Sequence, residues 1–169
     1  PGTTLWTSSG VLIDYRASTT PLGPQSVIDA GCGWGLAGIW CAKTFGSAVA
    51  SVDADASVIP YLELVAELND VEVTPVVARF EQLDAGLLGA TDWLIAADVC
   101  FWEELVAPVT SMIERAIESG TKRIMISDPR REPFFTMADT ILSDFGGELV
   151  EWRVGTSRQS GVILVIENS

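Results

Sequence analysis

Histidine is absent from all 169 residues. Its absence removes the commonest general base near neutral pH and the commonest transition-metal ligand, so Ser-His triads and zinc hydrolysis are set aside. Basic residues are scarce: ten Lys and Arg against 23 Asp and Glu give a net charge of −13. So negative a surface repels phosphate backbones and tolerates cationic partners, and no nucleic-acid partner is expected. Cysteine occurs three times, as Cys32, Cys41 and Cys100, in apolar surroundings and without metal-ligand spacing. Reduced thiols in a cytoplasmic protein are the expectation, with no metal site. The chain is 48% apolar, yet it has no uncharged apolar run of about 18 residues, because Asp29 interrupts the best candidate. Neither a membrane span nor a signal peptide is expected. The chain opens on Pro1 rather than Met, and residues upstream of it are expected.

No repeat, low-complexity run or charged linker divides the sequence, which reads as one domain over 1–169. Short β-rich runs fall at 27–30, 48–53, 73–78, 93–97, 123–127, 148–154 and 161–167. Between them Leu105, Val106, Val109, Met112, Ile113, Ala116 and Ile117 recur at helical spacing, as do Phe134, Phe135, Ala138, Ile141, Leu142 and Phe145. Such alternation predicts a doubly wound α/β sheet, Rossmann-like, with helices on both faces. The last two strands are joined only by GTSRQSG at 155–161. A parallel crossover needs about a dozen residues, so they form a hairpin and the final strand is antiparallel.

Residues 27–39 read VIDAGCGWGLAGI, with four glycines in eight residues between a strand and a helix. The dinucleotide fingerprint G-x-G-x-x-G would need a third glycine where Leu36 stands. The pattern is instead D-x-G-x-G-x-G, from Asp29, Gly31, Gly33 and Gly35. An acid there repels a pyrophosphate and favours an ammonium group. Twenty residues beyond Gly33, SVDAD places Asp53 at a strand end, where it can accept from ribose hydroxyls or cap the next helix, a role that suits Asp55 better. Ribose and ammonium without pyrophosphate describe S-adenosylmethionine rather than NAD.

The segments VIDAGCGWG, SVDAD and DWLIAADVCFWEEL resemble the successive motifs of class I S-adenosylmethionine-dependent methyltransferases, over nearly the whole chain. That resemblance implies a seven-strand sheet with its last strand antiparallel, in agreement with the hairpin above. TLWTSSGVLIDY, DVCF and SDPRR further resemble motifs of the seven-strand protein-lysine methyltransferases and of the bacterial relatives of the electron-transfer-flavoprotein β-subunit lysine methyltransferase. The sequence departs from them at Thr7, where proline is usual, and at Arg130, which replaces the glycine of a DPGR loop. Arg79 and Phe80 occupy a slot where an acid and an aromatic are common.

Methyl transfer from a sulfonium is an in-line displacement that rests on alignment, carboxylates and aromatic faces. With histidine absent, Asp98 at the end of the fourth strand is the candidate to take a proton from, or orient, an amine; it could equally cap the following helix. Of the adjacent Phe101 and Trp102, one is expected in the core and one, Phe101 by preference, at the acceptor. The expected cofactor-binding set is Trp6, Asp29, Gly31, Gly33, Trp34, Gly35, Asp53, Ala54, Phe80 and Ala97, with core packing as the alternative for both tryptophans. Phe80 can stack on the adenine ring. Trp102, Asp128 and Arg130 are the candidate substrate-binding residues, and Arg130 with Arg131 could instead pair with the surrounding acids. Tyr15 either meets the donor carboxylate or packs half-buried. The acceptor is a nitrogen nucleophile, a protein lysine or alternatively a small molecule; a non-catalytic, cofactor-binding partner subunit is the reading outside enzymes.

Overall fold

The computed structural model describes residues 7–19 and 25–168. Seven strands form one sheet: β1 (Ser26–Ala30), β2 (Ala48–Asp53), β3 (Thr74–Val77), β4 (Trp93–Ala97), β5 (Arg123–Asp128), β6 (Glu148–Arg153) and β7 (Ser160–Glu167). Their order is β3-β2-β1-β4-β5-β7-β6. The first five run parallel, and β7 lies antiparallel between β5 and β6, pairing Ser127 with Ile163 and Val150 with Ile163. The short 155–161 connection dictates this insertion, since a tight turn can only return the chain antiparallel. Among the described residues six α-helices flank the sheet: α1 (Thr7–Ser18), α2 (Leu36–Phe45), α3 (Ile59–Leu68), α4 (Ala85–Gly89), α5 (Val106–Ser119) and α6 (Glu132–Phe145).

Strand side chains alternate between faces, and the two cores follow that alternation. Ile28, Ala30, Leu94, Ala96, Ile124 and Ile126 face a layer containing Val109, Met112 and Ile113 of α5 and Phe134, Met137 and Ile141 of α6. Val27, Trp93, Ile95 and Met125 face Val11 and Leu12 of α1 and Ala37, Cys41 and Ala42 of α2. Because both faces are covered, the central strands are mostly apolar on both sides, with Asp29, Ser127 and Asp128 as buried polar exceptions. Arg16 of α1 is also buried in the second layer, its guanidinium 4.3 Å from the Trp93 ring centroid.

The parallel strands all point their carboxyl ends to one edge, and the loops there carry the sequence-singled residues. α1 packs on a face of the sheet beside α2, with its first turn at that edge. The Ser127 hydroxyl donates to the Ser8 carbonyl at 2.9 Å, and Trp152 Nε1 donates to Asp14 Oδ2 at 2.9 Å. Tyr15 packs edge-on against Trp152, with ring centroids 5.2 Å apart. Trp6 lies outside the described residues.

Candidate functional site

A cavity of about 590 Å³ opens at the carboxyl edge, between the loops after β1, β2, β3 and β4 and the start of α5. That size suits a small organic ligand. Six of its lining residues are acidic, namely Asp29, Asp53, Asp55, Glu81, Asp98 and Glu104, against the single base Arg79. The lining is therefore electronegative, and its apolar surface includes Trp34, Phe80 and Phe101.

The glycine loop is shaped by close approach. Gly31 has φ 70°, and a Cβ there would stand 2.6 Å from Val99 Cγ1. Gly35 has φ 76°, and its Cβ would fall 2.2 Å from Leu62 Cδ1 of α3. Both positions combine a left-handed backbone with no room for a side chain, which is why the loop cannot carry other residues there. The amides of Gly31 and Cys32 donate to the Val52 carbonyl at 2.8 and 2.9 Å, tying the loop to β2.

Asp29 is buried on β1, and its Oδ2 accepts the amide of Gly38 at 2.9 Å. It thus serves one of the unpaired amides in the first turn of α2, whose N-cap, Gly35, has no side chain to do so. Burial raises the Asp29 carboxyl to about 7, the Gly38 amide lowers it, and the Asp53 charge raises it further. Asp53 ends β2 with both oxygens engaged: Oδ2 accepts from Gly33 and Oδ1 from Asp55, each at 2.9 Å. Those two amides fix the carboxylate at the cavity wall. Asp55 caps the next turn by accepting from the Ser57 amide at 2.9 Å. Cys32 also lines the cavity, but burial pushes its thiol upward, so it stays protonated and is no nucleophile.

At the opposite end, Asp98 adopts φ 66°, an uncommon conformation for a residue with a side chain, held by its amide's 2.9 Å bond to the Ser127 carbonyl. Its carboxylate is in contact with the guanidinium of Arg131. Arg131 Nη2 also reaches Asp128 Oδ2 at 2.8 Å, and its own amide donates to Asp128 Oδ1 at 2.7 Å. Arg131 therefore bridges two carboxylates, one 8% and one 1% exposed, and its guanidinium lies 5.7 Å from the Phe101 ring centroid. Burial pushes Asp128 up to about 6 against its backbone hydrogen bonds from Arg131 and Arg130. Asp98 is not the free base that its place at a strand end suggested.

The structure brings Asp29, Gly31, Gly33, Trp34, Asp53, Ala54, Phe80, Ala97, Asp98 and Phe101 into one lining. Gly35 stands behind it at the start of α2, and Trp34 stacks on Tyr61 with centroids 5.2 Å apart. The substrate-binding expectation does not survive for Asp128 and Arg130, neither of which reaches the cavity. Asp128 is buried beneath Arg131, while Arg130 turns outward to Ser160 at 3.2 Å and Glu151 at 3.4 Å. Arg130 has φ 80°, the conformation natural to the glycine it replaces in a DPGR loop. Trp102 is 67% exposed and sits beside Phe101, outside the lining, so neither aromatic is core. Tyr15 is likewise outside the lining. Missed from the sequence were Ser9 of α1 and Glu81 in the lining, while the alternative in which Arg131 pairs with surrounding acids is the one the structure shows. Glu81 lacked any local pattern, and Ser9 reaches the edge only through the docking of α1.

Comparison with known proteins agrees with this geometry. Residues 1–140 match a family model described as lysine methyltransferase. No curated protein matches the chain in sequence. The methyltransferase domain of a bacterial Hen1 superposes with a TM-score of 0.71 at 14% identity, covering 95% of this chain and 97% of that one. An rRNA methylase from Streptococcus thermophilus gives 0.66 at 13% identity, with 95% and 93% covered. A Pyrococcus abyssi tRNA (uracil-54, C5)-methyltransferase, solved with S-adenosyl-L-homocysteine, gives 0.64 at 19% identity, covering 92% of this chain and 37% of that one.

Proposed function

The chain belongs to the lysine methyltransferase family, and on that premise we propose that it methylates a nitrogen nucleophile, a protein lysine by preference. It is an S-adenosylmethionine-dependent methyltransferase with a Rossmann-like seven-strand sheet. The acidic, aromatic lining fits a cationic nucleoside, and Gly31 and Gly35 let the loop pack against Val99 and Leu62 beside the cavity. When bound, S-adenosylmethionine supplies a sulfonium-activated methyl group. Asp53 would accept from the ribose hydroxyls, Phe80 would lie against the base, and Asp29 and the 31–35 loop would hold the aminoacyl end. Ala54 and Ala97 would shape the walls between them, and Trp34 would cover the loop.

The observation that carries the acceptor reading is the end of the same cavity formed by Asp98, Phe101 and Glu104. A carboxylate beside an aromatic ring suits an amine on an apolar stem. With Arg131 bound to it, Asp98 presents a hydrogen-bond acceptor at this end of the cavity. It orients the neutral amine toward the methyl group, and the proton lost before attack passes to solvent. Glu81 and Glu104 extend the negative field that would draw in a cationic side chain. The net charge of −13 speaks against a nucleic-acid acceptor. Three free cysteines support a cytoplasmic setting. Among the described residues no helix is long and apolar enough to cross a membrane.

The test is transfer of labelled methyl groups from S-adenosylmethionine into a lysate. A labelled protein band that yields methyllysine on hydrolysis, lost with Asp98→Asn, is the expected result. Label confined to the small-molecule fraction would make this a metabolite methyltransferase instead. Donor binding with no label anywhere would make it a cofactor-binding partner subunit.

The donor site is also expected to be proton-linked. In the free protein Asp29 is raised to about 7, so a cation placed near it favours ionisation and releases a proton. Donor affinity should fall as pH drops below about 7, approaching tenfold per pH unit, the limit for one linked proton. Calorimetry in buffers of different ionisation heat reads the release, and Asp29→Asn should abolish it. Between the ordinary 3.8 and about 7 the free folded state holds a proton that the unfolded chain has lost. The Asp29 contribution to stability is therefore greatest at the acid end and declines as pH rises through that window.

A further inference from the structure

Arg115 lies in α5, outside the cavity lining, yet its guanidinium meets three carbonyls of one short turn. Nη2 donates to the Phe80 carbonyl at 2.8 Å, and Nη1 donates to Leu83 at 2.5 Å and Glu81 at 3.4 Å. Nε donates at 3.1 Å to the Ser111 carbonyl of its own helix, which sets the direction of the side chain. The turn is closed from within by Gln82, whose Oε1 accepts the Arg79 amide at 2.8 Å. Its carbonyls are thus gathered on a cation behind it, while Phe80 and Glu81 line the cavity in front. A planar guanidinium fork spreads its donors over three nitrogens in fixed directions, whereas an ammonium's three donors all radiate from one atom.

We propose that Arg115 is a positioning residue for the nucleoside base, acting through the 80–83 turn that carries Phe80 as ring platform and Glu81 as acceptor for the exocyclic amine. The proposal rests on the reading that Phe80 lies against the base. Arg79 stands directly after β3 and its loop, and Glu81 is the carboxylate that the turn brings to the wall. A carboxylate accepts from an amine and repels a carbonyl, so this wall selects adenine over hypoxanthine. Arg115 is what holds both side chains in register with the cavity.

Calorimetry on the full chain with S-adenosylhomocysteine and S-inosylhomocysteine tests it. Wild type should prefer the adenosyl compound. Arg115→Met should bind S-adenosylhomocysteine at least about tenfold more weakly and lose most of that preference, with Arg115→Lys in between. Glu81→Gln should lose the preference while keeping much of the affinity. A folded Arg115→Met with wild-type affinity and preference overturns the proposal. Should that variant fail to fold, wild-type preference in both Arg115→Lys and Glu81→Gln overturns it equally. If Phe80→Ala leaves S-adenosylhomocysteine binding unchanged, the placement of the base is what fails, and this outcome is separate from the others.

Discussion

Asp53→Ala is expected to weaken S-adenosylhomocysteine binding by at least about 100-fold while the protein remains folded. The carboxylate holds the Gly33 and Asp55 amides, each at 2.9 Å, and it forms the cavity wall at the end of β2. Its loss frees the glycine loop and removes the proposed acceptor for the ribose hydroxyls. A hydrogen bond to a charged group contributes about 1.5–3 kcal/mol, so losing two to the ligand is worth about 3 kcal/mol or more, past the 2.7 kcal/mol of a 100-fold change. Asp53→Asn keeps one acceptor oxygen and offers an amide where a carboxylate stood, so its loss should be about tenfold. Calorimetry measures both, with the thermal midpoint as control for folding. Binding by Asp53→Ala within threefold of wild type would remove the ribose from this residue.

The second large effect is expected for Arg131→Met, which should cut methyl-transfer turnover by about 100-fold and change S-adenosylhomocysteine affinity less than about threefold. Arg131 contacts Asp98 and Asp128, and Asp128 is 1% exposed. Removing one partner of a buried pair leaves an uncompensated charge and costs about 3–5 kcal/mol. Two carboxyls left adjacent cannot both ionise easily, and Asp128 is already raised to about 6 with the arginine present. One of them then holds a proton near neutral pH, and Asp98 no longer has the charge or the orientation to accept from the amine. The acid limb of the turnover profile should move to higher pH. The stability deficit should run the same way: it is largest where both carboxyls would be ionised and shrinks as pH is lowered and they are protonated. Arg131→Lys should restore part of the turnover, because a point charge can serve one carboxylate but does not span two. An unchanged pH profile in a folded Arg131→Met would mean that the bridge has no part in acceptor chemistry.

The loss expected for Asp53 was legible from spacing alone, whereas that for Arg131 was not. Asp53 sits at a strand end a fixed distance past the glycine loop, and strand periodicity together with the loop order places it at the carboxyl edge. Arg131 directly follows Arg130, and nothing in the sequence tells the two arginines apart. The backbone at Arg130, with φ 80°, throws that side chain outward to Glu151 and turns the next one inward to Asp98. Asp128 and Arg130 both lie outside the cavity lining. Asp29 lines the cavity, and its service to the Gly38 amide depends on how close α2 starts to β1.

The sequence by itself determined the strand order's raw material: which runs alternate, where the chain is forced into a hairpin, and which loop is rich in glycine. These follow from local periodicity, connection length and backbone freedom, all of which act within a few residues. Only the tertiary structure decided which partner each charged side chain takes. Arg115 reaches a turn 32 to 35 residues away, and Arg131 reaches Asp98 across 33 positions. In a chain with ten bases and 23 acids many pairings are electrostatically acceptable. The packing of α5 and α6 on one face of the sheet selects among them, because a long flexible side chain binds whichever acceptor the fold brings within its reach.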